Sequence, residues 1–105
     1  MLQETTEKEV FQRLDANTVQ GKEALLFHTP FCGTCRLAER MLEIAEEAGP
    51  TIPATKLNIN FAPKLRDAWQ ISSVPCLVVL ENGVPVLKEY AMGSVVDLYQ
   101  WLRKE

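Results

Sequence analysis

Phe31-Cys32-Gly33-Thr34-Cys35 lies between two stretches of different periodicity. Before it, Ala24-Leu25-Leu26-Phe27-His28 is short and mostly apolar, which suits a strand buried on both faces. After it, Leu37, Met41, Ala45 and Ala48 recur at spacings of four and three, with Ala38 and Leu42 beside them. That pattern predicts an amphipathic helix from Cys32 to Ala48. Arg36, Glu39, Arg40, Glu43, Glu46 and Glu47 fill its other side, most simply a solvated face, and Gly49-Pro50 ends it. Two cysteines therefore sit where a buried strand gives way to a helix.

The first turn of a helix carries unpaired N–H groups and a partial positive charge. A thiolate at Cys32 is stabilised there and becomes the stronger nucleophile at neutral pH. Gly33 is expected to let the chain turn tightly after Cys32. Cys35, three residues on, lies within disulfide reach and faces the helix interior. This arrangement suits thiol–disulfide exchange, in which Cys32 attacks a disulfide and Cys35 resolves the mixed disulfide. Structural zinc sites share the Cys-x-x-Cys spacing, so a site of Cys32, Cys35, Cys76 and His28 is the metal-binding alternative. Such sites usually show a second ligand pair, and this chain has none.

Further signals extend outward from the motif. Thr6 starts a first helix, with Glu9 as capping-box partner, Val10, Phe11 and Leu14 as its apolar face and Asn17 near its end. Met1 to Glu4 is a weak candidate for a short edge strand. Gly21 breaks the chain. Thr55-Lys56-Leu57-Asn58-Ile59 alternates as a strand, and Pro63 opens a short helix ending near Trp69. Cys76 to Leu80 is an apolar strand, joined by the Asn82-Gly83 hairpin to Val84 through Tyr90. Ser94 caps a last helix bearing Val95, Leu98, Trp101 and Leu102. Strands alternating with helices give parallel neighbours and the hairpin adds antiparallel ones. The expected fold is α/β, a mixed central sheet of four to five strands with helices on both faces, as one domain over residues 1–105.

Composition narrows the function. Of 105 residues, 47% are hydrophobic and 24% charged, an ordinary globular balance, and the net charge is -3. Without a Lys/Arg cluster, neither nucleic acid nor an anionic membrane surface is an expected partner. Met1-Leu2-Gln3-Glu4-Thr5-Thr6-Glu7 is acidic and has no apolar core, unlike a signal peptide. No apolar run approaches the roughly 18 residues of a membrane span. The expected location is the cytosol, which disfavours structural disulfides, and three cysteines cannot all pair within one chain.

Four separated segments carry a resemblance. They are Phe31-Cys32-Gly33-Thr34-Cys35, Lys56-Leu57-Asn58-Ile59-Asn60, Ile71-Ser72-Ser73-Val74-Pro75, and Asn82-Gly83 with the later Gly93. Together they resemble the thioredoxin family over almost the whole chain. The first looks like that family's Trp-Cys-Gly-Pro-Cys, the second like its Lys-Leu-Asn-Ile-Asp strand, and the third like the segment with its cis-proline. The resemblance implies the thioredoxin fold and a protein-disulfide oxidoreductase acting as a reductase. It makes Cys32 the nucleophile, Cys35 the resolving thiol, Pro75 the cis-proline facing the disulfide, and Val74 a backbone platform for an extended substrate. It implies no bound cofactor, because the dithiol itself carries the electrons. Its partners would be protein disulfide substrates and a reductase or low-molecular-weight thiol as electron donor, with the chain a monomer. The other reading is a binding module that uses the Val74-Pro75 groove, with redox turnover secondary.

Departures from the family pattern are informative. Leu26 stands where thioredoxins bury an aspartate beneath the resolving cysteine, which implies slower resolution. His28 replaces a tryptophan, and Thr34 replaces the motif proline, implying a less reducing pair. Arg40 replaces a kinking proline, implying a straighter helix. Cys76, opening an apolar strand, reads as core, with a third exchanging thiol as the sharper alternative. His28 reads as a packed, hydrogen-bonded residue, with a proton acceptor in place of the missing aspartate as the alternative. Arg36 either adds positive potential at Cys32 or is a solvated helix residue. Phe31 and Pro30 suit an apolar rim, and Trp69 and Trp101 suit packing.

Overall fold

The computed structural model describes residues 2–15 and 21–103. In chain order they form β1 (Gln3–Glu4), α1 (Glu7–Asp15), β2 (Lys22–His28), α2 (Gly33–Ala48), β3 (Ala54–Asn58), a 3-10 turn (Ile59–Phe61), α3 (Pro63–Ala68), β4 (Cys76–Glu81), β5 (Val84–Glu89) and α4 (Val95–Leu102). The expected Asn17 terminus of the first helix, and Met1 of the edge strand, lie outside the described residues.

The strands make one five-stranded sheet in the order β1-β3-β2-β4-β5. β1 and β2 run parallel to β3, while β4 is antiparallel to β2 and to β5. Pleating divides β2 between two cores. Ala24 and Leu26 pack with Ala38, Leu42 and Ala45 of α2 and Leu98 and Leu102 of α4. Leu25 and Phe27 pack on the other face with Val10 of α1 and Leu65 of α3. A strand covered on both faces is apolar at successive positions, and so the buried run 24–27 carries no alternation.

Local chemistry sets the ends of the elements. At α1 the Glu9 N–H donates to the Thr6 hydroxyl at 3.2 Å. The Glu9 carboxylate accepts from the Thr5 hydroxyl rather than closing a box on Thr6. Ser94 and Asp97 do form a reciprocal capping box on α4. Asn82 and Gly83 both have positive φ, 52° and 82°, as a two-residue hairpin turn of the primed type requires. Pro63 occupies the first turn of α3, where a missing N–H leaves no bond unmade.

The buried stripe of α2 differs from the expected one. Cys35, Ala38, Leu42 and Ala45 face the sheet, whereas Leu37 is 60% exposed and Ala48 also lies outside. The apolar residues of this helix span two adjacent stripes. Small side chains at Cys35, Ala38 and Ala45 let the backbone approach β2 closely, so that stripe docks. Arg40 leaves α2 without a break over its 16 residues. The acidic face is also not uniformly solvated, since Glu39 accepts from the Leu2 N–H and pairs with Lys56 at 3.0 Å.

Candidate active site

Cys32 is the N-cap of α2, with extended backbone at φ -100° and ψ 110°, and not its first helical residue. Its Sγ accepts the Cys35 N–H at 3.1 Å, one of the helix's unpaired first-turn donors. The Thr34 hydroxyl lies 3.2 Å from the same sulfur. Cys32 and Cys35 are joined as a disulfide, with their Cα atoms 5.1 Å apart. Cys32 is partly exposed and Cys35 is 2% exposed. The pair is thus asymmetric, with one sulfur on the surface and one beneath it.

Gly33 does not serve the turn expected of it. It is the first residue of α2, its φ is not positive, and a Cβ there would meet nothing within 4 Å. The turn lies before the motif, at Pro30 and Phe31, where the Cys32 N–H donates to the Thr29 carbonyl at 3.4 Å. What glycine leaves at this position is open space above the helix terminus.

Sheet register brings the later segment to the motif. Cys76 pairs with Phe27 at the last step of the β2–β4 ladder. Pro75 therefore lies at the end of the sheet from which β2 runs into the motif, and the Val74–Pro75 peptide is cis. Both residues are half-buried. The preceding loop is anchored on β5 and just beyond it. The Tyr90 hydroxyl accepts the Ser72 N–H at 3.1 Å, and Lys88 Nζ donates to the carbonyls of Trp69 and Gln70 at 3.2 Å. Neither Tyr90 nor Lys88 was marked by a motif. Most of their partners are backbone carbonyl and amide groups, with the Ser72 hydroxyl also donating to Tyr90, and sequence patterning does not reveal these. Phe31 is 94% exposed beside Cys32, and Pro30 is exposed too.

The remaining candidates separate from one another. Cys76 is fully buried in the core layer under α1 and α3, on the face opposite α2. His28 lies on the α2 face with its Nε2 3.0 Å from Glu4 Oε2. The four proposed metal ligands are therefore divided between the two faces of the sheet. Among the described residues no group of three or more His, Cys, Asp or Glu side chains is arranged to hold a metal ion. Arg36 is exposed and donates back to the Pro30 carbonyl at 3.2 Å, which keeps its charge against the motif loop.

Burial pushes the Cys76 thiol from an ordinary value near 9 up to about 11, with Lys88 and the Tyr90 hydroxyl pulling partly the other way. The folded protein then holds this proton more tightly than the unfolded chain. That contribution to stability is intact below pH 9 and is lost as pH rises toward 11. In urea melts, the stability of the wild type relative to Cys76→Ala is expected to fall by about 1.4 kcal/mol per pH unit across that window. A pH-independent difference would show that Cys76 is not buried as a neutral thiol. At neutral pH, iodoacetamide should leave Cys76 unlabelled in the native reduced protein.

A family model for thioredoxin matches residues 3–104. The chain belongs to the thioredoxin family. It is 40% identical over 81 residues to the thioredoxin-like protein YusE of Bacillus subtilis, covering 77% of this chain and 76% of that one. It is 33% identical over 99 residues to a thioredoxin of Alicyclobacillus acidocaldarius, covering 82% and 94%. In fold it is similar to a mutant thioredoxin from Halobacterium salinarum, with a TM-score of 0.73 at 21% identity, over 96% of this chain and 84% of that one. Membership of the family and the Cys32–Cys35 pair make the protein a thiol–disulfide oxidoreductase. Thioredoxins do this chemistry without a bound cofactor, on disulfide substrates and with a reductase partner.

Proposed function

We propose that this thioredoxin-family protein is a protein-disulfide reductase of a reducing compartment, the cytosol, in which Cys32 attacks and Cys35 resolves. The asymmetry of the pair carries the reading. Cys32 is reachable and caps α2, whereas Cys35 lies under the surface. A substrate disulfide can therefore meet only the first sulfur. Hydrogen bonds to a charged acceptor contribute about 1.5–3 kcal/mol net each. A helix terminus contributes about 0.3–1 kcal/mol at an exposed position. The Cys35 N–H and the Thr34 hydroxyl, both within 3.2 Å of the Cys32 sulfur, are thus the larger influence favouring its thiolate.

In the cycle, the Cys32 thiolate bonds to one sulfur of the substrate disulfide and the other sulfur leaves as a thiolate. Cys35 then bonds to Cys32 and the second substrate sulfur leaves. The substrate is reduced and the dithiol becomes the disulfide. Val74 and Pro75 form the platform beside it and Phe31 its apolar rim, while a reductase or low-molecular-weight thiol restores the dithiol.

Cys35→Ser tests the assignment. Attack by Cys32 still occurs but release cannot, so client proteins should accumulate as mixed disulfides on Cys32, cleavable by dithiothreitol and identifiable by mass spectrometry. If reduced Cys35→Ser captured no disulfide-bonded client, and insulin, offered as a disulfide substrate, formed no adduct, the assignment of attack to Cys32 would be wrong.

A further inference from the structure

Cys35 has to lose a proton before it can resolve a mixed disulfide, yet it is almost fully buried. Leu26, where the family places an acid, belongs to the apolar core with Ala38 and Leu42. Another group must accept that proton.

A cavity of about 350 Å³ opens beside Cys35, and its walls include Glu4, His28, Arg36, Glu39 and Lys56. Register explains the gathering. Leu26 pairs with Lys56, and Lys56 pairs with Glu4 across β3 and β1. His28, two residues after Leu26, shares that sheet face, which α2 covers. Glu39 is one helical turn beyond Cys35 on α2. Charged groups from all four elements packed here, β1, β2, β3 and α2, thus line the same space. The space is large and polar enough to hold water.

Three bases border it, of which the Glu4 carboxylate is held against the His28 ring. Glu39 is engaged, since Lys56 binds its carboxylate at 3.0 Å and the Leu2 N–H donates to it at 3.3 Å. His28 is held on one side only. A carboxylate solely accepts, so with Glu4 Oε2 3.0 Å from Nε2 the ring proton lies on Nε2 and the lone pair of the neutral imidazole on Nδ1. Among the described residues Nδ1 has no protein hydrogen-bond partner.

We propose that His28, oriented by Glu4, takes the Cys35 proton through the water of this cavity during resolution. The proposal rests on the roles given to Cys32 and Cys35 above. The Cys35 S–H proton passes to Nδ1, and the ring becomes an imidazolium steadied by the Glu4 carboxylate. The Cys35 thiolate bonds to the Cys32 sulfur, and the bond from Cys32 to the substrate sulfur breaks. The substrate sulfur leaves with the electron pair and is protonated from solvent or from the imidazolium. His28 is the proton acceptor, and Glu4 is a positioning residue.

Stopped-flow reaction of the reduced protein with dithiobis(nitrobenzoate) separates the steps. The first nitrothiobenzoate released reports attack by Cys32, and the second reports resolution by Cys35. His28→Gln should slow the second release about 10²-fold at neutral pH and change the shape of its pH profile, with little change in the first. Added imidazole should restore part of the second release in His28→Ala. Glu4→Gln keeps the ring and should slow the second release several-fold and alter its pH profile, with the first release unchanged. Wild-type rates and pH profiles in all three variants would overturn the proposal for His28, as would equal slowing of both releases. Absence of a second release in the wild type would instead overturn the resolving role of Cys35.

Discussion

Cys32→Ser is expected to reduce the rate of insulin disulfide reduction to the uncatalysed background, a loss on the order of 10³-fold or more. A serine hydroxyl can still occupy the N-cap and accept the Cys35 N–H, so the helix start should survive. What is lost is the sulfur that forms the covalent intermediate. A hydroxyl is not ionised at neutral pH and cannot form a disulfide. The remaining thiol of the pair cannot substitute, because Cys35 is 2% exposed and an extended protein substrate cannot reach it. The measurement is insulin reduction with dithiothreitol as electron donor, alongside the melting temperature. Loss of turnover with a melting temperature close to that of the reduced wild type is the expected result. Retention of more than about a tenth of the activity would show that the reactive sulfur lies elsewhere.

Phe27→Ala is expected to have the largest effect on stability. Phe27 is fully buried, and Trp69 meets it edge to face with ring centroids 6.1 Å apart and planes at 89°. Removing the ring deletes its burial and leaves a cavity lined by β2, β4 and α3 that the packed surroundings cannot fill, at about 3–5 kcal/mol. Loss of the aromatic pair adds to this. Domains of this size are stable by about 5–15 kcal/mol, so the variant keeps a modest margin at best. The urea midpoint should fall with little change in slope, and the melting temperature should fall by more than about 12 °C. Leu37→Ala is the contrast on α2. Its side chain is largely in solvent, so its removal should change stability by no more than about 0.5 kcal/mol. If both variants cost the same, the placement of the two-faced core would be wrong.

Much of the fold was legible because its signals are local. The unalternating run 24–28, the Asn82-Gly83 turn, Pro63 at the start of α3 and the Ser94 cap each depend on a few neighbouring residues, and all stand where expected. Local signals do not decide where two solutions are nearly equal. Leu37 and Ala38 both suit the apolar side of an isolated helix, and only docking against β2 decides between them. Glycine often makes a tight turn, but here Pro30 and Phe31 turn the chain before the motif and Gly33 is already helical.

The Cys32–Cys35 motif, the strand before it and the helix after it were determined by sequence alone, since spacing and periodicity fix how the two sulfurs meet at a helix start. The environment of those sulfurs was decided only by tertiary structure. Glu4, His28, Glu39 and Lys56 lie far apart in the chain and are assembled by the parallel register of β1, β3 and β2 beneath α2. The opposite placement of Cys76, which follows Pro75 directly, is likewise a matter of pleat and layer. Strand pairing obeys long-range geometry, and one residue of register moves a side chain to the other face of the sheet.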